Sequence, residues 1–364
     1  MFFAIVLAVW TAMHLYVFWR ISSVPAFARV PRVGLELVAF FLWTSYVLGR
    51  ILARRGLETV AAPLEWIGAH WLGVIFLTVV SLLVVDIVTG FGYLLPRVAP
   101  ALRGYALLVA AVLSAVALVQ GVRAPVVTSY EVRLPGLPPA QDGTVVAVAT
   151  DTHVGEMIDA RWLSARVNEI QALHPDLIIL AGDIVEGDDG ARELGPVFRR
   201  LSAPLGVFAV TGNHEFYAGL ESSVRFLESA GVRVLRDGWA ELRPGLVLAG
   251  VDDLTARRQY GRDGAFVQRA LEGRPHSATI FVSHTPWHVE KAREAGAGLM
   301  LSGHTHGGQI WPFAHVVRLR YPFVAGRYDV AGMTLIVCRG TGTWGPRMRL
   351  WRRSELLRIT LRAG

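Results

Sequence analysis

The first 121 residues alternate long apolar runs with short loops that carry arginine. The runs cover residues 2–19, 33–48, 71–95 and 105–119. A hydrocarbon core of about 30 Å takes about 20 helical residues. The first, third and fourth runs predict membrane-spanning helices. The second is shorter and contains Glu36; it reaches a full span by borrowing Ile51 and Leu52 while Arg50 snorkels. Trp10, Trp19, Trp43, Trp66, Trp71 and Tyr105 lie in or near the run ends, where interfacial anchors collect. No basic segment precedes the first run and further apolar runs follow it, so it reads as a retained helix rather than a cleaved leader.

A Pro- and Gly-rich stretch at 133–143, RLPGLPPAQDG, marks a boundary. Beyond it, short β-rich runs alternate with helical spacing. TVVAVAT (144–150), DLIILAG (176–182), GVFAVTG (206–212), LVLAGV (246–251), ATIFVS (278–283) and LMLSG (299–303) predict buried strands. ARWLSARVNEIQAL (160–173) predicts a helix, VFRRL (197–201) lies in a short one, and another falls around 219–230. Such alternation predicts a sheet packed between helices. The chain therefore divides into a membrane domain of about four helices at 1–121, a linker at 122–143 and an α/β domain at 144–364.

Composition supports the division. Of 364 residues, 53% are hydrophobic, and the mean hydropathy of +0.42 is too high for an ordinary soluble domain. The net charge is +7, and Lys291 is the only lysine, so nearly all the positive charge is arginine. Many arginines sit beside apolar segments, which favours anionic lipid head groups as neighbours; no nucleic-acid partner is expected. Arg20, Arg29, Arg32, Arg97 and Arg103 fall on one side of the membrane, and Arg50, Arg54, Arg55, Arg123 and Arg133 on the other. This tie leaves the first helix to decide: no Arg or Lys precedes it, which favours an outside N-terminus and, after four spans, an extracytoplasmic α/β domain. His14, His70 and Asp86 are ionisable groups at membrane depth that either carry function or face each other. Cys338, expected to pack in a strand, is the only cysteine, so any metal must be held by His, Asp, Glu or Asn.

The polar residues of the second half fall after the strands. Asp151 and His153 follow the first, Asp183 the second, Asn213 and His214 the third, His284 the ATIFVS strand, and His304 and His306 the last. Sites form at the carboxyl ends of strands in α/β sheets. Residues i and i+2 of an extended segment share a side, so Asp151 with His153, and His304 with His306, are expected to reach one centre. Glycines at 182, 212, 303, 307 and 308 permit tight turns and close backbone approach. Oxygen and imidazole donors without thiolate suit Mn, Fe or Zn. Asp252 and Asp253 either line the site or make a turn, His288 is a helix-turn neighbour of His284, and His174, His276 and His315 read as loop histidines. The tail RMRLWRR (347–353) reads as a solvated basic face, or one that meets lipid phosphate.

The ordered set DTH, AGD, GNHE, SHTP and SGHTHGGQ resembles the calcineurin-like metallophosphoesterase family, over about residues 142–364 and including TGTWGP near the end. Within the family it most resembles the bacterial membrane-associated branch and transmembrane proteins that carry such a domain. Thr152 stands where the family usually has a leucine that is not a ligand. The resemblance implies an α/β/β/α sandwich and two divalent metal ions. It implies Asp151, His153, Asp183 and His306 on one metal, and Asp183, Asn213, His284 and His304 on the other, with Asp183 bridging. His214 would stand off the metals, near the leaving group. The activity implied is hydrolysis of a phosphodiester or lipid-linked phosphoester by a metal-bridging hydroxide, in a bacterial cell membrane. A degenerate sensor or scaffold, or a regulator of transport through the membrane domain, are the other readings. The sequence leaves the oligomeric state open.

Overall fold

The computed structural model describes residues 2–53, 55–155, 157–186, 191–261 and 264–364; Arg54, counted above, lies outside these. The chain forms two compact units, one of residues 1–122 with 345–351, the other of residues 123–344 with 352–364.

The first unit is built on four helices, α1 (Phe2–Ile21), α2 (Arg32–Ala53), α3 (Glu58–Val88) and α4 (Ala99–Val122), all long and apolar enough to cross a membrane. Most of their outward side chains are apolar, among them Leu37, Phe40, Val84, Ile87, Leu108 and Val112, the surface that lipid rather than water accepts. The third helix starts well before the run that predicts it. It ends at Val88 because Gly90, Phe91 and Gly92 all take positive φ, so residues 89–95 leave the helix although they are apolar. Gly68 allows α3 to pack on α2, since a Cβ there would lie 2.5 Å from the Tyr46 nitrogen.

The ionisable groups of this unit do not converge on one centre. His14 has Nδ1 on the Trp10 carbonyl at 2.8 Å, and its Nε2 accepts from the Trp71 indole at 2.8 Å. His70 is held by the Trp66 carbonyl at 2.7 Å. Asp86 is fully buried between Arg20 at 2.7 Å and Arg103 at 2.9 Å, and accepts from the Tyr16 hydroxyl at 2.8 Å. Arg20 and Arg103, read above as loop residues, are therefore buried partners of an acid. The tail is corrected likewise: Arg349 is fully buried, and its backbone N–H donates to the Ala117 carbonyl.

The second unit contains two six-stranded sheets. Its strands are β1 (Val126–Leu134), β2 (Val145–Ala149), β3 (Leu177–Ala181), β4 (Val207–Val210), β5 (Arg233–Val234), β6 (Gly238–Arg243), β7 (Leu246–Gly250), β8 (Ala278–Val282), β9 (Leu299–Ser302), β10 (Gly326–Val330), β11 (Met333–Val337) and β12 (Glu355–Ala363). Its helices are α5 (Ala160–Gln171), α6 (Ala191–Phe198), α7 (Asn213–Ala218), α8 (Leu220–Ser229), α9 (Leu254–Gln259), α10 (Phe266–Leu271), α11 (Val289–Glu294) and α12 (Ala314–Arg318). The sheets run in the orders β1-β12-β2-β3-β4-β5 and β10-β11-β9-β8-β7-β6. In the first, β2 to β5 are parallel; in the second, β7, β8, β9 and β11 are.

Strand alternation sorts the side chains into layers. Val146, Val148, Leu177 and Ile179 meet Leu246, Leu248, Ile280, Val282 and Leu301 between the sheets. The alternate residues Ala147, Ile178 and Leu180 pack outward on Leu163, Val167, Leu194 and Leu227 of α5, α6 and α8. On the other sheet, Ala249, Phe281 and Met300 pack on Leu254, Val267 and Val289 of α9 to α11. The result is an α/β/β/α sandwich, with two sheets where alternation alone predicts one. The stretch 122–143 carries β1, which pairs with β12 along its whole length.

Candidate metal centre

Five central strands deliver the polar residues: β2, β3 and β4 from one sheet, β8 and β9 from the other. The strands β2, β3 and β4 are apolar throughout, β8 carries Thr279 and β9 ends in Ser302, and in all five the candidate ligands come after the last strand residue. The residues after the strands do not continue extended. Asp151, His153, Asp183, His304 and His306 have φ of +53°, +47°, +51°, +70° and +50°. The expectation that i and i+2 share a side through an extended backbone is therefore replaced by left-handed turns, which aim the same pairs inward. Gly212 permits the closest approach, because a Cβ there would sit 2.1 Å from an Asp183 oxygen.

Three trios of ligand atoms result, each within 4.8 Å: Asp151, His153 and His306; Asp183, His284 and His304; and His153, Glu186 and His214. His306 Nε2 lies 3.2 Å from Asp151 and 3.1 Å from His153 Nε2. Two imidazole nitrogens held about 2.1 Å from one metal ion at an angle near ~100° would stand at about that spacing. Asp183 joins the trios: its Oδ2 is 3.0 Å from His284 Nε2 and 3.8 Å from His153 Nε2.

Unsatisfied buried atoms mark the donor set as one that suits a metal. Buried polar atoms nearly always find partners. Yet Asn213 Oδ1, His284 Nε2 and His304 Nδ1 are buried without a hydrogen bond; the Asp183 oxygen near His284 Nε2 is off the hydrogen-bonding line. The far side of three of the rings is held. His284 Nδ1 meets the Ala181 carbonyl at 2.8 Å, His153 Nδ1 meets Glu186 at 2.5 Å, and His304 Nε2 meets the Tyr321 hydroxyl at 2.8 Å. Metal-ligating histidines are oriented in this way. The residues fit two cations.

His214 belongs to the third trio and stands beside the other two, with Nδ1 at 2.9 Å from Glu186 and its ring 4.6 Å from that of His153. Burial works against its charge, but Asp183 and Glu186 raise its pKa to about 9. Burial likewise opposes Glu186, whose hydrogen bonds to His153 and His214 hold it well below the usual carboxylate range. Burial opposes the ionised form of Asp183 too, yet His284 and His214 hold it well down, while Asp183 in turn raises His284 against burial. Burial, with the charge of His284, lowers His304 to about 3.

Sequence reasoning gave no role to Glu186, Glu215 or Tyr321. Glu215, the fourth letter of GNHE, is fully buried and accepts from four backbone N–H groups: Asp183 at 3.0 Å, Ile184 at 2.6 Å, Val185 at 3.1 Å and Gly212 at 2.6 Å. Asp252 and Asp253 do not join the trios. Asp252 pairs with Arg236 and Arg257, and Asp253 caps α9 through the Ala256 N–H. His174, His276, His288 and His315 lie in exposed positions, and Cys338 is buried just after β11.

Residues 144–308 match the family described as calcineurin-like phosphoesterase. An uncharacterized metallophosphoesterase of Aquifex aeolicus is 34% identical over 246 residues, 65% of this chain and 91% of that relative. This chain belongs to the calcineurin-like metallophosphoesterases. A transmembrane protein with metallophosphoesterase domain from Bos taurus is 34% identical over 274 residues, and one from Danio rerio 32% over 270. Each alignment takes 71% of this metallophosphoesterase and 62% of the relative, so the chain spans under two thirds of their length. A solved dimetal phosphatase from Danio rerio aligns with 55% of this chain and 88% of its own at 13% identity and a TM-score of 0.36, too loose a likeness to carry weight.

Proposed function

We propose that this membrane protein is a phosphoesterase that works with two divalent cations, of Mn, Fe or Zn. Its substrate class is a phosphodiester or a lipid-linked phosphoester. The observation that carries the reading is the pair of ligand trios joined at Asp183, with three buried donor atoms left unsatisfied. Asp151, His153 and His306 would hold one cation and Asn213, His284 and His304 the other, with Asp183 shared. Bound there, the cations would supply Lewis acidity toward the phosphoryl oxygens and lower the pKa of water. Glu186 keeps the Nδ1 proton of His214 in place, and with a pKa of about 9 the ring is protonated at neutral pH. His214 then gives its Nε2 proton to the departing oxygen.

The four helices anchor the enzyme. The test pairs plasma mass spectrometry of bound metal with hydrolysis of a soluble aryl phosphodiester. Asp183→Ala should lose both metal and turnover, and His214→Ala should keep metal and lose turnover. Wild-type protein that takes up no divalent metal, or variants as active as wild type, would overturn the reading.

A further inference from the structure

The segment that follows the last ligand motif has the wrong surface for water. Between residues 311 and 320, Trp311 is 48% exposed, Val316 52% and Leu319 88%. These apolar side chains sit within nine residues of one another, around the short α12, which buries none of its own residues. A soluble surface scatters such residues, and a cluster of them marks a docking face. The same segment exposes His315, Arg318 and Arg320, and no acid occurs from 311 to 321. Apolar residues interleaved with arginine are the composition of a segment that lies in the head-group layer of an anionic bilayer.

The segment is rooted in the metal-ligand cluster. It begins five residues after His306 and ends at Tyr321, whose hydroxyl meets His304 Nε2 at 2.8 Å. Arg320 lies over the Trp287 ring at 4.5 Å, and Trp287 stacks on Tyr321 at 5.9 Å. Gln309, just ahead of the segment, bonds both backbone groups of Trp344, at 2.9 and 3.1 Å. Trp344 is itself 51% exposed, with its ring 6.0 Å from that of His214. Gln309 thus ties the start of the segment to Trp344, an exposed ring beside His214. The same chain also carries four helices long and apolar enough to cross a membrane.

We propose that residues 311–320 form an interfacial segment that seats in the lipid head-group layer and guides a lipid-borne phosphoester to the cluster. The substrate class rests on the phosphoesterase reading; the seating of the segment does not. Trp311, Val316 and Leu319 contact the acyl boundary, while Arg318 and Arg320 meet lipid phosphate. The phosphoryl group then reaches the ligands from the end marked by Trp344 and Tyr321.

The test uses full-length protein in nanodiscs of phosphatidylcholine with phosphatidylglycerol. Leu319→Cys is labelled with an environment-sensitive fluorophore, Cys338 being buried, and Glu228→Cys on exposed α8 is the control. Spin-labelled lipid should quench the probe at 319 at least threefold more than the probe at 228. Equal quenching would overturn the seating whether or not the enzyme is active. Shielding that follows protein concentration rather than spin-labelled lipid would assign the face to a second copy and overturn it as well.

In a second arm, p-nitrophenyl phosphodiesters with methyl and hexadecyl chains are compared. Wild type should favour the long chain at least tenfold in kcat/KM. Val316→Glu with Leu319→Glu should abolish that preference and leave the methyl ester unchanged. Hydrolysis of both esters without preference, or a preference the substitutions leave intact, would refute the lipid-borne substrate. Failure on both esters would instead sink the phosphoesterase reading, and the quenching would still decide the seating.

Discussion

Replacing Glu215 tests whether one carboxylate holds the metal centre together. Glu215 is fully buried, and each of its oxygens accepts from two backbone N–H groups: Oε1 from Ile184 and Val185, Oε2 from Asp183 and Gly212. Glu215→Ala orphans all four donors, each at about 1–3 kcal/mol. Water entering the vacated space recovers part of that, so a net loss of about 4 kcal/mol is expected. At about 2–4 °C per kcal/mol for a domain of this size, the melting temperature should fall by roughly 8–16 °C. Glu215→Gln should be nearly as damaging, since its amide group would face two donors with a donor. Scanning calorimetry of the chelator-treated protein reads the stability, and metal titration reads the site. Metal affinity should fall in parallel, because the same N–H groups position Asp183 and the start of α7. A melting temperature within about 2 °C of wild type together with unchanged metal affinity would refute the reasoning.

Three further outcomes follow from groups already described. The charges of Asp183 and Asp151 hold His284 well above its ordinary pKa against burial, so a cation must displace a proton from it. Metal affinity should climb with pH, and calorimetry in buffers of different ionisation enthalpy should show proton release; pH-independent loading would contradict this. In chelator-treated protein the raised pKa of His214 adds stability that is complete below about pH 6.5 and lost as the pH rises through about 9, readable as a falling melting temperature. In the helical unit, Asp86→Asn leaves Arg20 and Arg103 without their acid and should cost about 3–5 kcal/mol. Unfolding in detergent followed by tryptophan fluorescence checks it, and an unchanged midpoint would show that the arginines do not need Asp86.

The residues of the candidate metal centre were legible in the sequence because each sits in a local signal, an apolar run that stops at a Gly, Asp, Asn or His. Convergence of β2, β3 and β4 with β8 and β9 was not, because it depends on two sheets stacking, and alternation carries no record of which sheet a strand joins. The strand β12 was missed for a related reason: it pairs with β1 and β2 over separations that no local window sees, whereas β10 and β11, also missed, form a local hairpin. Glu186 stands three residues after Asp183 and looks like any loop acid until His153 and His214 arrive. Asp86 looked like a lone membrane acid because its partners are 66 residues upstream and 17 downstream, on other helices. The third apolar run misjudged its helix because hydrophobicity persists through residues 89–95 while the backbone turns at Gly90.

The left-handed turns at Asp151, His153, Asp183, His304 and His306 have a consequence for how the protein fails on heating. A non-glycine residue in that conformation is held there by its surroundings at about 1 kcal/mol or more. Here the surroundings are the rigid strand ends, which act as the jaws of a vice on five coiled springs. Warming that slackens the jaws lets the springs relax, and the donor atoms swing apart while most of the sandwich is still intact. The centre should therefore fall silent some degrees before the fold is lost.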